Sequence, residues 1–142
     1  IVNISSLFGL TAQPTQSAYN ASKFAVRGFT EALRQELDMQ KCGVSVTCVH
    51  PGGIRTNIAK AARMKDNLST LGMDAQKSIQ NFDKLLRTPP EEAARVILDA
   101  VQRDARRVLI GNDAKALDLM QRIIPTAYQR IFTAATKMQA GR

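Results

Sequence analysis

The sequence predicts an α/β protein, half of a doubly wound parallel sheet built from three strands with flanking helices. Three observations predict it. Short β-branched runs at 1–6, 44–49 and 107–110 read as buried parallel strands, with no alternation that would leave one face to solvent. Between them lie stretches whose apolar residues recur at spacings of three and four, the mark of a helix with one apolar stripe. The resulting strand–helix–strand–helix–strand order is that of βαβ units, wound right-handedly with helices on both faces.

Each element has its own signals. Ile1-Val2-Asn3-Ile4-Ser5-Ser6 is the first strand, and Gly9 and Pro14 punctuate the loop after it. From Ser17 to Gln40 the pattern is helical. Val26, Phe29, Leu33 and Leu37 form the expected buried stripe, with Arg27, Glu31, Arg34, Glu36 and Asp38 largely off it. Gly43 stands where helix C-termini favour glycine. Val44 to Val49 is the second strand, closed by Pro51-Gly52-Gly53. The polar, weakly periodic segment at about 57–87 suits short mobile helices. Thr88-Pro89-Pro90-Glu91 then opens a helix running to about Arg103, with Thr88 as cap and Glu91 at the capping-box position. Arg107 to Ile110 is the third strand, stopped by Gly111-Asn112. Two helical stretches follow, about 113–123 and 126–138, parted by Pro125.

Composition narrows the function classes. At 142 residues and 44% apolar content, the chain has the size and core of one domain. Twenty Lys and Arg against twelve Asp and Glu leave a net charge of +8. The cations are scattered, however, and aromatic residues do not interleave with them, so no nucleic-acid partner is expected. Cys42 and Cys48 have neither metal-ligand spacing nor a CxxC, as expected of reduced thiols in a cytoplasmic protein without a metal site. No apolar run approaches the ~20 residues of a membrane span, and no signal peptide opens the chain. Glycosylation triplets at Asn3, Asn20 and Asn67 read as chance matches. The chain opens inside an apolar strand, so it is expected to be a fragment whose missing strands pair with that first edge.

Two strand ends and one helix start carry candidate chemistry. Tyr19 and Lys23 are four apart, hence one above the other on a helix face. An ammonium beside a phenol favours the phenolate, which is how a tyrosine becomes a usable acid and base. Alone, such a pair reads first as a solvent-facing one at a helix start. Ser6 ends the first strand, where ligands of open α/β sheets bind, although Ser5 is an equal candidate for the exposed position. The second strand ends in His50-Pro51-Gly52-Gly53-Ile54-Arg55-Thr56, a sharp turn that lets backbone approach a ligand and offers the Thr56 hydroxyl. The backbone of His50, beside Pro51, belongs to the strand end, and no chemical role is expected of its ring.

The run Asn3-Ile4-Ser5-Ser6, then Tyr19-Asn20-Ala21-Ser22-Lys23, then Pro51-Gly52 with Thr56 resembles the short-chain dehydrogenase/reductase family. The resemblance is close over about residues 1–57 and loose over 88–111. It implies the C-terminal half of a Rossmann-type sheet in an NAD- or NADP-dependent oxidoreductase that interconverts a carbonyl and an alcohol. By resemblance, Tyr19 would be the general acid/base. Lys23 would lower its proton affinity and hold the nicotinamide ribose, and Ser6 would orient the substrate oxygen. Tyr19 and Lys23 would also touch the cofactor, with Pro51, Gly52, Ile54 (through its backbone) and Thr56 lining the nicotinamide. The 57–87 segment would be a substrate lid, tolerant of apolar molecules through Met64, Leu68, Leu71 and Met73. The Tyr19/Lys23 helix would pack in a homodimer or homotetramer.

The departures matter as much. The eight glycines never fall at a dinucleotide-fingerprint spacing, and the family's active-site Asn and its NAD-or-NADP selector have no counterpart here. All belong to an N-terminal dinucleotide-binding half, so the chain alone is expected to be inactive. The competing reading is a non-catalytic interaction or dimerisation module. The apolar stripe at 113–138 (Leu117, Met120, Ile123, Ile124, Tyr128, Ile131 and Phe132) is expected to pack against protein rather than a membrane.

Overall fold

The computed structural model describes residues 1–58 and 80–139. Strands β1 (Val2–Ile4), β2 (Thr47–Pro51) and β3 (Arg107–Ile110) form one parallel sheet in the order β1-β2-β3. Val2 lies opposite Thr47 and Ile4 opposite Val49, while Val49 lies opposite Val108 and Pro51 opposite Ile110. A 3-10 turn at Leu7–Gly9 follows β1. The helices are α1 (Ser17–Gln40), α2 (Pro90–Gln102), α3 (Asn112–Ile123) and α4 (Tyr128–Gln139).

The parallel α/β architecture is thus as expected, and β3 and α1 keep their expected bounds. The second strand starts later, at Thr47, because the chain must first turn out of α1. Lys41 (φ 51°), not Gly43, is the left-handed cap of that helix, and its N–H bonds Leu37 O at 3.1 Å. Gly43 (φ 74°) supplies a second left-handed residue in the same turn, and Val44 is left exposed.

Successive side chains of β2 face opposite ways. Val49 packs with Ala93 of α2 and Ile110 of β3 in the core, joined by Val96, Ile97 and Val108. Cys48 and His50 face the other side, toward α1. The two helices therefore cover opposite faces although β1→β2 and β2→β3 step the same way across the sheet. Consecutive crossovers of that kind have opposite hands, so the uniform right-handed winding is not kept. The long excursion between Gly52 and Pro89 gives the second crossover the length to change faces.

The buried side of α1 is more polar than its periodicity predicts. Asn20, Thr30 and Arg34 are buried, whereas Phe29 is 64% exposed. Polar partners on that face of the sheet explain it. Asn3 Nδ2 donates to Thr30 Oγ1 (3.0 Å), and Arg34 grips the Asp104 carboxylate through both terminal nitrogens (2.9 and 2.8 Å). Arg34 Nε also donates to Asp38 (3.1 Å). A bidentate charged pair of this kind fixes geometry as well as adding energy.

Thr88 does not cap α2. The N-cap is Pro89, with no side-chain bond. Thr88 is engaged instead in a one-residue parallel bridge with Ile54, its N–H donating to Gly53 O (3.0 Å) and its carbonyl accepting from Arg55 N–H (2.9 Å). Glu91 and Glu92 still place negative charge in the first turn, where the helix dipole favours it.

Candidate active site

Past Ile4 the chain leaves β1 through two serines with different duties. Ser5 N–H donates to Val49 O (2.8 Å), and its hydroxyl donates to the Lys23 carbonyl (2.8 Å), tying strand to helix. Ser6 caps the Leu7–Gly9 turn, its Oγ accepting from Phe8 N–H at 3.1 Å. Both are buried. The Ser5 proton is thus used up in that bond, whereas the Ser6 hydroxyl accepts and gives its own proton to no acceptor among the described residues. Gly9 lets the Ser5–Lys23 contact form, because a Cβ there would overlap Ser5 Oγ and the Lys23 carbonyl oxygen.

Tyr19 and Lys23 stand in the first turns of α1. The Lys23 ammonium is 5.6 Å from the Tyr19 ring centroid and donates to Ile4 O (3.2 Å), so the end of β1 holds it. Phe8 meets the Tyr19 ring edge-on, with centroids 6.4 Å apart and planes at 78°. Tyr19 is 36% exposed, and its hydroxyl has no hydrogen-bond partner among the described residues. Ser6, Tyr19 and Lys23 thus gather at the carboxyl end of β1, linked through Phe8 and the Ile4 carbonyl. Asn20 is turned away, its Nδ2 donating to Gln13 O (2.8 Å) and its buried Oδ1 without a partner among the described residues.

The end of β2 forms the neighbouring wall. Gly52 N–H donates to Ile110 O (2.8 Å), and Gly53 N–H donates to the Asp113 carboxylate (2.6 Å). Asp113 opens α3 and closes on this loop only because Gly52 and Gly111 lack side chains; a Cβ on either would overlap it. Pairing with Thr88 uses the neighbours of Ile54, so the amide and carbonyl of Ile54 itself face the opposite edge. Thr56 is exposed, its Oγ1 accepting from Ile58 N–H at 3.4 Å. The Asp113 clamp was not legible in the sequence. Gly111-Asn112-Asp113 reads as a turn and helix start, and its partner lies sixty residues away.

His50 has no exposed surface. Its Nδ1 lies 3.0 Å from Ser6 O and its Nε2 3.4 Å from Cys48 Sγ. A carbonyl oxygen only accepts, so Nδ1 carries the proton, Nε2 is the acceptor, and the Cys48 thiol donates to it. Burial pushes the imidazole below its usual pKa; the Ser6 bond opposes this, Arg107 and Arg27 add to it, and Glu31 partly offsets them. The unfolded chain therefore binds a proton that the fold excludes as pH falls through the ordinary histidine value of 6.5. Stability to urea should drop between pH 7 and 5.5, and His50→Asn should flatten that dependence. An equal slope in the variant would show that another group is responsible.

The remaining elements frame this cleft. Tyr128 at the start of α4 is buried, its hydroxyl accepting from Ala12 N–H (3.1 Å) and its ring edge-on to Phe132. The C-terminal apolar stripe is therefore partly packed on the loop before α1, with Ile123 and Ile131 outside it. Of the expected lid, residues 59–79 lie outside the described residues, including Met64, Leu68, Leu71 and Met73. Among the described residues no His/Cys/Asp/Glu group has metal-site geometry, and no helix is long and apolar enough to cross a membrane.

Known proteins resemble this chain in sequence and in fold. Residues 1–67 match the family model described as short chain dehydrogenase. SadH of Mycobacterium tuberculosis is 53% identical over 135 residues, which are 94% of this chain and 47% of that protein. YxnA of Bacillus subtilis is 34% identical over 92% of this chain and 34% of its own length. Both carry oxidoreductase in their names. Dehydrogenase/reductase SDR family member 7B of Xenopus laevis is 34% identical over 96% of this chain and 40% of its own. The chain thus spans half or less of these curated relatives. Among solved structures, a short-chain dehydrogenase/reductase of Burkholderia phymatum in complex with NAD superposes with a TM-score of 0.71 at 21% identity, over 91% of this chain and 48% of that one. A short chain dehydrogenase of Burkholderia cenocepacia in complex with NADP gives 0.68 at 23%, over 93% and 46%.

Proposed function

Because this chain belongs to the short-chain dehydrogenase/reductase family, we propose that it is the catalytic part of an oxidoreductase that interconverts a carbonyl and an alcohol. One observation carries the reading: the Ser6 hydroxyl, which gives its proton to no acceptor among the described residues, stands at the strand end that also anchors Lys23 beside Tyr19.

In this reading Tyr19 gives a proton to the substrate oxygen during reduction and takes it back during oxidation. Ser6 donates to the same oxygen and fixes its position as negative charge grows on it. Lys23 supplies positive charge next to the phenol. A nicotinamide cofactor, NAD or NADP, supplies or accepts the hydride when bound. The residues present fit its nicotinamide end: Ile54 offers an outward amide and carbonyl, Thr56 an exposed hydroxyl, and Pro51 and Gly52 a side-chain-poor wall. Tyr19 and Lys23 would meet its ribose.

The pyrophosphate and adenosine need a glycine-rich turn, and none of the eight glycines of this chain stands in one. We therefore assign those groups to a further sheet half that pairs with β1, whose Val2 and Ile4 are 39% and 45% exposed. The enzyme is proposed to be cytoplasmic and a homodimer or homotetramer. Its oligomer contact would be the outer face of α1, where Phe29 and Met39 are exposed.

Ser6→Ala tests the central claim. In the complete enzyme it should cut turnover on a ketone by on the order of 100-fold while cofactor affinity stays within about twofold. Unchanged turnover would refute the role of Ser6. Titrating the chain by itself with NADH and NADPH separates the enzymatic reading from a pure interaction module. We expect no tight binding by the chain alone and binding once the other sheet half is present.

A further inference from the structure

We propose that His50 is a positioning residue: from inside the sheet it donates a hydrogen bond to the Ser6 carbonyl and thereby holds the Ser6 hydroxyl where the substrate oxygen must sit. The inference rests on the catalytic reading of Ser6 and extends it to a residue behind the cleft, which touches neither substrate nor cofactor.

The geometry is specific. Ser6 follows a strand only three residues long, and its backbone is extended (φ −167°, ψ 167°) before the chain folds into the Leu7–Gly9 turn. A serine at such a junction needs external fixing to keep one orientation. Two donors meet on its carbonyl, Gly9 N–H at 2.9 Å from within the turn and His50 Nδ1–H at 3.0 Å from β2. Only the second ties Ser6 to the sheet core. The ring itself is held by the Cys48 thiol on Nε2, two residues back on the same face of β2. The chain of donors thus runs thiol to imidazole, imidazole to carbonyl, all within a region closed to water, where each bond is stronger than at the surface. Burial favours the neutral form of both groups, lowering the His50 pKa and raising that of Cys48, and the Ser6 carbonyl, which only accepts, sets the proton on Nδ1.

Phenylalanine fills the same volume without a donor, asparagine places its amide near Nδ1, and glutamine places its amide near Nε2. In the complete enzyme, His50→Phe and His50→Gln should lower kcat per cofactor-binding site by about tenfold, with cofactor affinity unchanged, while His50→Asn should stay within about threefold. In a Ser6→Ala background the same His50 changes should cost less than about twofold, because the residue acts through Ser6. Counting turnover per bound cofactor removes any loss of folded protein. In a long-range proton–nitrogen spectrum of the complete enzyme, with the His50 signals assigned by their loss in His50→Asn, we expect a neutral ring protonated at Nδ1. A ring protonated at Nε2 overturns the proposal even if the variants do not fold. So does an unchanged kcat in His50→Phe where Ser6→Ala is impaired, or an equal loss in both backgrounds. Full activity of Ser6→Ala would instead sink the catalytic reading itself.

Discussion

Tyr19→Phe is expected to lower turnover by on the order of 1,000-fold while leaving the fold intact, because it removes the group that we propose moves the proton. The two halves of that expectation have separate grounds. Tyr19 lies on the exposed side of the first turn of α1, and its hydroxyl has no partner among the described residues, so its loss leaves no buried group unsatisfied. Phe8 packs on the ring, which phenylalanine retains. Urea unfolding should therefore agree with the parent to within about 0.5 kcal/mol. If the variant reduced ketones at near the parental rate, another residue would have to be the acid, and no neighbour among the described residues offers a comparable group.

Gly53→Ala should have the largest effect on the loop that we assign to the nicotinamide. A Cβ at Gly53 would run into the backbone of Leu85, overlapping its carbonyl oxygen and standing 2.8 Å from its carbon. Main chain cannot swing aside as a side chain can. The loop must separate from the 85–88 segment, breaking the bonds from Arg87 and Thr88 N–H to Gly53 O (2.9 and 3.0 Å). We expect about 2 kcal/mol of lost stability and at least about tenfold weaker cofactor binding in the complete enzyme. Gly52→Ala is the comparison, since the atoms nearest its Cβ all belong to the Asp113 carboxylate rather than to main chain. That variant should lose the Gly53–Asp113 bond, worth about 1–2 kcal/mol at most, and keep the Ile54–Thr88 bridge. Equal stability of the two variants, read from urea midpoints, would contradict the steric account.

The Tyr19 and Gly53 variants probe two neighbouring walls of the proposed site. Tyr19 is placed by a helix start whose position is fixed from β1 through Ser5 and Lys23. Gly53 is placed by strand pairing with Thr88 and by Asp113. Neither wall depends on the other through a direct bond among the described residues, so the double variant should lose the sum of the two stability changes.

Most of the architecture was legible because local chemistry dictates it. The β-branched runs could only be strands, the spacing from Ser17 to Gln40 could only be a helix, and Tyr19 and Lys23 had to share a face one turn apart. The motif order led to the expectation that Ser6 and the Pro51–Thr56 loop belong to the same site. The departures share one cause. Periodicity puts Phe29 in the core and Arg34 in solvent because it counts apolar residues, whereas this face of the sheet offers Asn3, Asp104 and a backbone carbonyl as partners. Thr88 has the right residue type to cap a helix, but a strand-like bridge to Ile54 claims it first.

By itself the sequence determined the parallel α/β order, the helix that carries Tyr19 and Lys23, and the turn that ends β2, since each follows from residues close together in the chain. The tertiary structure alone decided which serine keeps its proton, what His50 touches, and why Asp113 matters. Those outcomes depend on Ser5 meeting Lys23, His50 meeting Ser6, and Gly53 meeting Asp113. A hydrogen bond between residues 18, 44 or 60 positions apart leaves no trace in local spacing, because it exists only once the strands lie side by side.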